Sequence, residues 1–148
     1  MKPSTQFLLL TLILLLALPA CIPGPKVTVL EGDERDQVLA YSEAMADNLL
    51  AAMNAADYSA FSRDLSDATA KAINEQEFQK MLDLLTPKIG AYQSRQVDRV
   101  EQVGDNVAVI YTATFEKEDG VTIRLVFSSA EPHQIVGLWF DSPNLRKK

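Results

Sequence analysis

The chain has 148 residues, with 14 Lys and Arg against 20 Asp and Glu, one His, one Cys and a formal net charge of −6. That length suits one domain of roughly 100 residues and not two, and the acidic balance argues against a nucleic-acid partner, which needs clustered Lys and Arg to displace counterions. A single Cys excludes an intramolecular disulfide, no Cys/His cluster points to a metal, and no motif points to a cofactor.

Met1-Lys2 gives a short positive start, and Phe7 to Leu18 is an apolar run. A run of that length reads as a signal-peptide core, since a membrane span needs roughly twenty residues. Leu18-Pro19-Ala20-Cys21 resembles the lipobox of bacterial lipoproteins, in which the Cys receives a diacylglyceryl group and becomes the mature N-terminus. The sole Cys of the chain stands where the lipid would go. The resemblance implies a lipoprotein signal peptide over residues 1–20, a lipid anchor on Cys21 and an extracytoplasmic protein held on a bacterial membrane without a transmembrane segment. Acyl chains hold a protein on a bilayer at about 0.8 kcal/mol per buried CH₂, so two chains anchor stably where one does not.

Residues 21–35 have tether composition, with Pro, Gly and the charged cluster Glu31 to Arg35. Lys26 to Leu30 has the makings of a short extended piece, although a plain spacer is the simpler expectation. A domain over residues 36–141 follows, then a polar tail over 142–148. Val38, Tyr41, Met45, Leu49, Ala52 and Ala56 recur at steps of three and four, predicting one amphipathic helix capped by Asp33 or Asp36. Asp57 is placed to cap a short second helix through Phe61 and Leu65. Ser66 to Ile73 reads as a link. Asn74 and Glu77 have the spacing of a capping box before a helix that buries Phe78, Met81, Leu82 and Leu85, with Pro87 and Gly90 as its stop.

From Ala91 the period becomes two. Tyr92 to Val103 predicts a mixed, edge-like strand. Val107 to Phe115, Val121 to Phe127 and Gln134 to Phe140 predict three more, with turns at 104–106, 118–120 and 130–133. Consecutive strands on short turns pair as neighbours, and the helical stripe must cover the apolar face of the sheet. The expected fold class is therefore α+β: N-terminal helices packed in the concave face of a curved four-stranded antiparallel sheet, a cone with a pocket at its open end.

The phrases Ala55 to Phe61, Gly90 to Ser94, Phe115-Glu116-Lys117, Arg124 to Phe127 and Ile135 to Phe140 occur in an order and spacing that resemble the nuclear-transport-factor-2-like superfamily, the cystatin-like cone. Within it the chain resembles a bacterial family of unknown function found in lipoproteins and fused ahead of α/β-hydrolase domains. The resemblance implies a fold and a pocket, not a reaction. No hydrolase follows the last strand here, so any activity is expected in the cone itself.

Candidate inward polar groups are Tyr58, Tyr92, Tyr111 and Arg124, although Arg124 alternates onto the outer register. Tyr58, Tyr92, Tyr111 and Trp139 are the pocket candidates. Tyr111 shares a face with Val109 and Ala113, where a buried Tyr usually sets its hydroxyl against one partner. No carboxylate lies in the inner register of the last three strands. Cone enzymes of the superfamily that isomerise or dehydrate small molecules use a pocket Asp or His base with Tyr donors, and a carboxylate within reach of Tyr111 or Tyr92 would favour that reading. Asp141 ends the last strand and is expected in solvent. His133, the only histidine, reads as a surface turn residue. Trp139 and Phe140 point to opposite faces, and a one-residue slip exchanges them.

Thr112, Thr114, Thr122 and Arg124 share the outer face with Ile110, Val126 and Val136 or Leu138. That face is partly apolar, and the resemblance implies a homodimer through it. The expectation for function is a lipid-anchored, non-enzymatic domain that binds a small ligand or a partner protein. A pocket enzyme of isomerase or hydrolase type and a structural envelope component are the alternatives.

Overall fold

The computed structural model describes Gly24 and residues 26–148. Cys21 and the apolar run before it lie outside the described residues. The elements in order are β1 (Val27–Leu30), α1 (Gly32–Ala55), α2 (Tyr58–Ser62), α3 (Asp67–Ala72), α4 (Glu75–Ile89), β2 (Tyr92–Val103), β3 (Asn106–Phe115), β4 (Glu118–Ser128), β5 (Ile135–Asp141) and α5 (Pro143–Arg146). The class is α+β: helices followed by an open antiparallel sheet in the order β1-β2-β3-β4-β5.

The sheet has five strands where the sequence predicts four. Residues 27–30, expected to be spacer, pair with the end of β2, Leu30 opposite Val100 and Val27 opposite Val103. The edge character of β2 is accordingly divided. Its last residues are covered by β1, while Tyr92 to Arg99 pair on one side only. β2 to β5 pair sequentially, as the short turns require.

The helix caps follow side-chain chemistry. Asp57 accepts from the Ala60 N–H at 3.0 Å, and Asn74 accepts from Gln76 and Glu77 N–H at 3.0 and 3.1 Å. Glu77 does not reach back as a capping box would; it pairs with Lys80 at 2.7 Å. α1 starts earlier than expected, at Gly32, so neither Asp33 nor Asp36 caps it. Glu31 holds the cap position without a side-chain bond, and Asp33 and Glu34 meet the positive end of the helix dipole instead. The expected link over 66–73 contains α3, capped by Ser66, whose Oγ accepts from Thr69 N–H. Pro87 lies inside α4, and Gly90 ends it with φ 81°. A Cβ at Gly90 would come 2.7 Å from the Glu116 Cβ, so space and backbone both require glycine there. The expected tail carries α5, whose Leu145 packs on the core and whose end is tied by Lys88 Nζ to the Leu145 and Lys147 carbonyls.

One core joins Leu49, Leu50 and Met53 of α1, Phe61 of α2, Phe78, Leu82 and Leu85 of α4, and the inner residues Val100, Val109, Tyr111, Ile123, Leu125 and Ile135 of the sheet. Phe61 and Phe78 meet at its centre, ring centroids 4.5 Å apart. The link before α3 is stitched to the start of β5 by Ser66 N–H to the Ile135 carbonyl (2.9 Å) and Ile135 N–H to the Asp64 carbonyl (2.8 Å). The hairpin between β3 and β4 turns at Glu116-Lys117, two residues before the predicted turn, with β4 beginning at Glu118. Register shifts interrupt β2–β3 twice, β3–β4 once and β4–β5 once. The last decides strand β5: an extra residue at Val136 leaves Leu138 opposite Leu125 and Phe140 opposite Ile123, both inward. Leu138, considered for the outer face, is therefore a core contact.

Candidate functional site

The structure gathers two of the four pocket candidates around an arginine that the sequence did not single out. Arg95 stands opposite Ala113 in the β2–β3 pairing, on the inner face, and its side chain is 7 % exposed. α1 crosses this part of the sheet and delivers Glu43 and Asp47, one turn apart. Arg95 donates to Glu43 Oε2 and the Glu43 carbonyl (3.1 and 3.2 Å), to Asp47 Oδ1 (2.5 Å) and to the Tyr92 hydroxyl (3.2 Å). Its guanidinium carbon lies 5.1 Å from the Tyr111 ring centroid. The Tyr111 hydroxyl donates to Glu43 Oε1 at 2.8 Å. A carboxylate thus does reach Tyr111, from the helix rather than from a strand. Strand register alone cannot reveal it, because it depends on how α1 is rotated over the sheet.

Burial disfavours the Arg95 charge, but hydrogen bonds to Asp47 and Tyr92 and the nearby Glu43 charge outweigh it and hold the guanidinium firmly protonated. Tyr111 moves the other way. Burial, then the Glu43 charge and its hydrogen bond, raise its phenol well above the usual range, so it is a fixed donor. Two buried polar atoms beside this cluster, Ser42 Oγ and Arg95 Nε, have no partner among the described residues. Glu43 and Asp47 are 40 % and 71 % exposed, so the cluster runs from solvent to core as a clamp between α1 and β2.

The other candidates are dispersed. The Tyr58 hydroxyl donates to the Ala70 carbonyl at 3.2 Å, tying α2 to α3, and its ring sits against Phe78. Tyr92 packs edge-on against Phe115 and is pinned by Asn54, which bonds both its N–H and its carbonyl. Beside Tyr92, Met53, Leu82, Leu85 and Phe115 line a cavity of about 70 Å³, room for water and not for a ligand of ordinary size. Trp139 is on the opposite face of the sheet from the cavity beside Tyr92, 54 % exposed, its ring lying over Gly137 and under Arg124 (5.3 Å). It lines a separate, shallow concavity between α3 and β5 with Ala72, Ile73 and Leu138, apart from the Arg95 cluster. Arg124 also points outward. Asp141 is solvated and paired with Arg146, whose hydrogen bond holds the carboxyl below its ordinary range.

His133 sits in the β4–β5 turn, as expected, but is not a bare surface residue. At φ 57° its ring stacks on Tyr41, centroids 4.0 Å apart, and Nδ1 meets the Ser128 carbonyl at 3.1 Å. Burial raises the Tyr41 phenol above its usual range. Among the described residues no group of His, Cys, Asp and Glu is arranged to hold a metal ion, and no helix is long and apolar enough to cross a membrane.

These features define a small α+β domain with an ion clamp between helix and sheet. The chain belongs to DUF3887, a family of proteins of unknown function, which matches residues 46–138. The match takes in Asp47, Tyr92, Arg95 and Tyr111 and begins after Glu43. No curated protein and no solved structure matches the chain.

Proposed function

We propose that the protein is a lipid-anchored, extracytoplasmic domain of the nuclear-transport-factor-2-like cone type that works by binding and not by catalysis, and that its outer sheet face receives a second copy of the chain. The observation that carries this reading is the distribution of exposed apolar side chains. Of the four large apolar side chains more than half exposed among the described residues, Leu84 lies alone on α4, and Val27, Val29 and Trp139 stand on the sheet face opposite the helices. Ala108, Ile110 and Val126 form a second, smaller apolar cluster between them. The valines belong to one edge strand and the tryptophan to the other. A two-fold axis over the central strand β3 would set the Trp139 of each copy on the β1 valines of its mate, an isologous contact. The face carries both charges, Arg99 and Arg124 with Asp98 and Glu101, and so complements itself. The helix-then-meander order and the bulges that bend the strands support the cone reading.

Sedimentation equilibrium of residues 22–148 tests the contact. A dimer in the micromolar range that Trp139→Ala converts to monomer supports it, and a monomer at high micromolar concentration refutes it. The anchor is tested separately: Cys21→Ala should release the mature protein from membranes after a salt wash, and retention there would sink it.

One observation favours the pocket-enzyme alternative, the carboxylate of Glu43 at hydrogen-bond distance from Tyr111. Against it stands the engagement of both carboxylate oxygens, one by Tyr111 and one by Arg95. Tyr111 is moreover fully buried. A reacting atom has no place between them.

A further inference from the structure

Between the first turns of α1, the edge strand β1 and the β4–β5 turn lies an open cleft of about 330 Å³. That volume is at the lower end of small-molecule sites. Its floor is apolar: Leu30, Val38 and Val107. Its rim carries acceptors at Glu34, Gln102 and His133, beside the Gln37 amide and the Tyr41 and Ser129 hydroxyls, which can donate or accept. A carbonyl can only accept, so the contact with Ser128 O requires the hydrogen on Nδ1 of His133. In the neutral ring Nε2 then carries a lone pair, and it has no partner among the described residues. Gln102 spends its amide nitrogen on the carbonyls of Gly104 and Asn106 and the hydroxyl of Ser129, leaving its amide oxygen as the free end. Glu34, exposed in the first turn of α1, supplies the sole charged group on the lining among the described residues, none of which on that lining is Lys or Arg. The stacked Tyr41 fixes the imidazole, so the acceptor is held in place before anything binds.

The one charged side chain on the lining is negative, and with the acceptors of Gln102 and His133 it favours a donor-bearing cation over an anion, outweighing the partial positive end of the α1 dipole. The net acidic surface raises the local concentration of such a ligand further. We propose that this cleft binds a small organic ammonium, its charged head against Glu34 and His133 Nε2 and its hydrocarbon body on Leu30, Val38 and Val107. The site lies on the helical side of the sheet, so it stands or falls independently of the outer-face contact.

The test uses the full chain purified with its native N-terminus, titrated with benzylammonium, benzyl alcohol and benzoate and followed by ligand-observed NMR against a protein-free blank. One contact charge pair in water is worth about 1 kcal/mol, which corresponds to roughly a 5-fold preference. Benzylammonium should therefore bind about 5-fold more tightly than the alcohol, and benzoate more weakly still. Glu34→Gln should bring benzylammonium and the alcohol to parity. Glu34→Lys should reverse the order in favour of benzoate. His133→Asn, which tolerates the left-handed backbone, should weaken benzylammonium several-fold. Equal affinities in the unaltered protein, no binding of benzylammonium, or a preference that survives Glu34→Gln would each overturn the assignment.

Discussion

The two faces of the sheet solve the same problem differently. On the inner face every large apolar side chain of β3 and β4 is buried under helices, and the one strong charge admitted there, Arg95, meets two carboxylates and a phenol. On the outer face no helix intervenes. Ala108, Ile110 and Val126 are shielded by neighbouring side chains of the sheet itself, while Val27, Val29 and Trp139 remain in water. Buried packing is therefore concentrated on one side and exposed apolar surface of the sheet on the other, and substitutions on the two sides should behave oppositely.

The largest expected effect is on the inner side. Phe61→Ala, at the centre of the aromatic cluster, should lower the unfolding free energy by about 3–5 kcal/mol through lost burial and a residual cavity, read by urea denaturation. Arg95→Ala comes next, at about 2 kcal/mol, because it leaves the Glu43 and Asp47 carboxylates and the Tyr92 hydroxyl without their cation. The partly exposed Glu43 and Asp47 can turn to water, which keeps the cost below that of a fully buried pair. An Arg95→Ala protein as stable as its parent would show the clamp to be ornamental.

Tyr111→Phe should cost about 1–2 kcal/mol at neutral pH, the loss of a hydrogen bond to a charged acceptor. It should also change the alkaline limb of stability. The folded state holds the Tyr111 proton more tightly than the unfolded state, whose phenol titrates near pH 10. Its contribution is then complete below about pH 10 and falls as the pH rises beyond it. The Phe variant should lose less stability between neutral pH and strong alkali, measured as urea midpoints against pH. The smallest effect belongs to the outer face. Trp139→Ala should change monomer stability by no more than about 1 kcal/mol, while abolishing self-association. A large loss of monomer stability would erase the contrast between the faces.

Much of this was legible from residue patterns. The α1 stripe from Val38 to Ala52, the Asp57 and Asn74 caps, the sequential meander and the inward setting of Tyr111 each follow from local chemistry or a period of two or 3.6, whereas Ala56, expected on the stripe, is the exposed left-handed cap that ends the helix. β1 was obscured because four residues between Pro, Gly and charge carry too little alternation to distinguish a strand from spacer; only pairing with β2 gives it meaning. Trp139 was ambiguous because a bulge at Val136 sets which of two neighbours faces in, and a bulge has no reliable sequence mark.

The sequence by itself determined the order of elements and which residues must be hidden, since periodicity and capping act within a few residues of chain. Tertiary structure alone decided that Glu43 and Asp47 of α1 would close on Arg95, that β1 would complete the sheet, and that Tyr41 would hold His133 above a cleft. Those contacts join residues up to 92 positions apart, and their geometry depends on how one helix rotates against a twisted sheet, which no local pattern encodes.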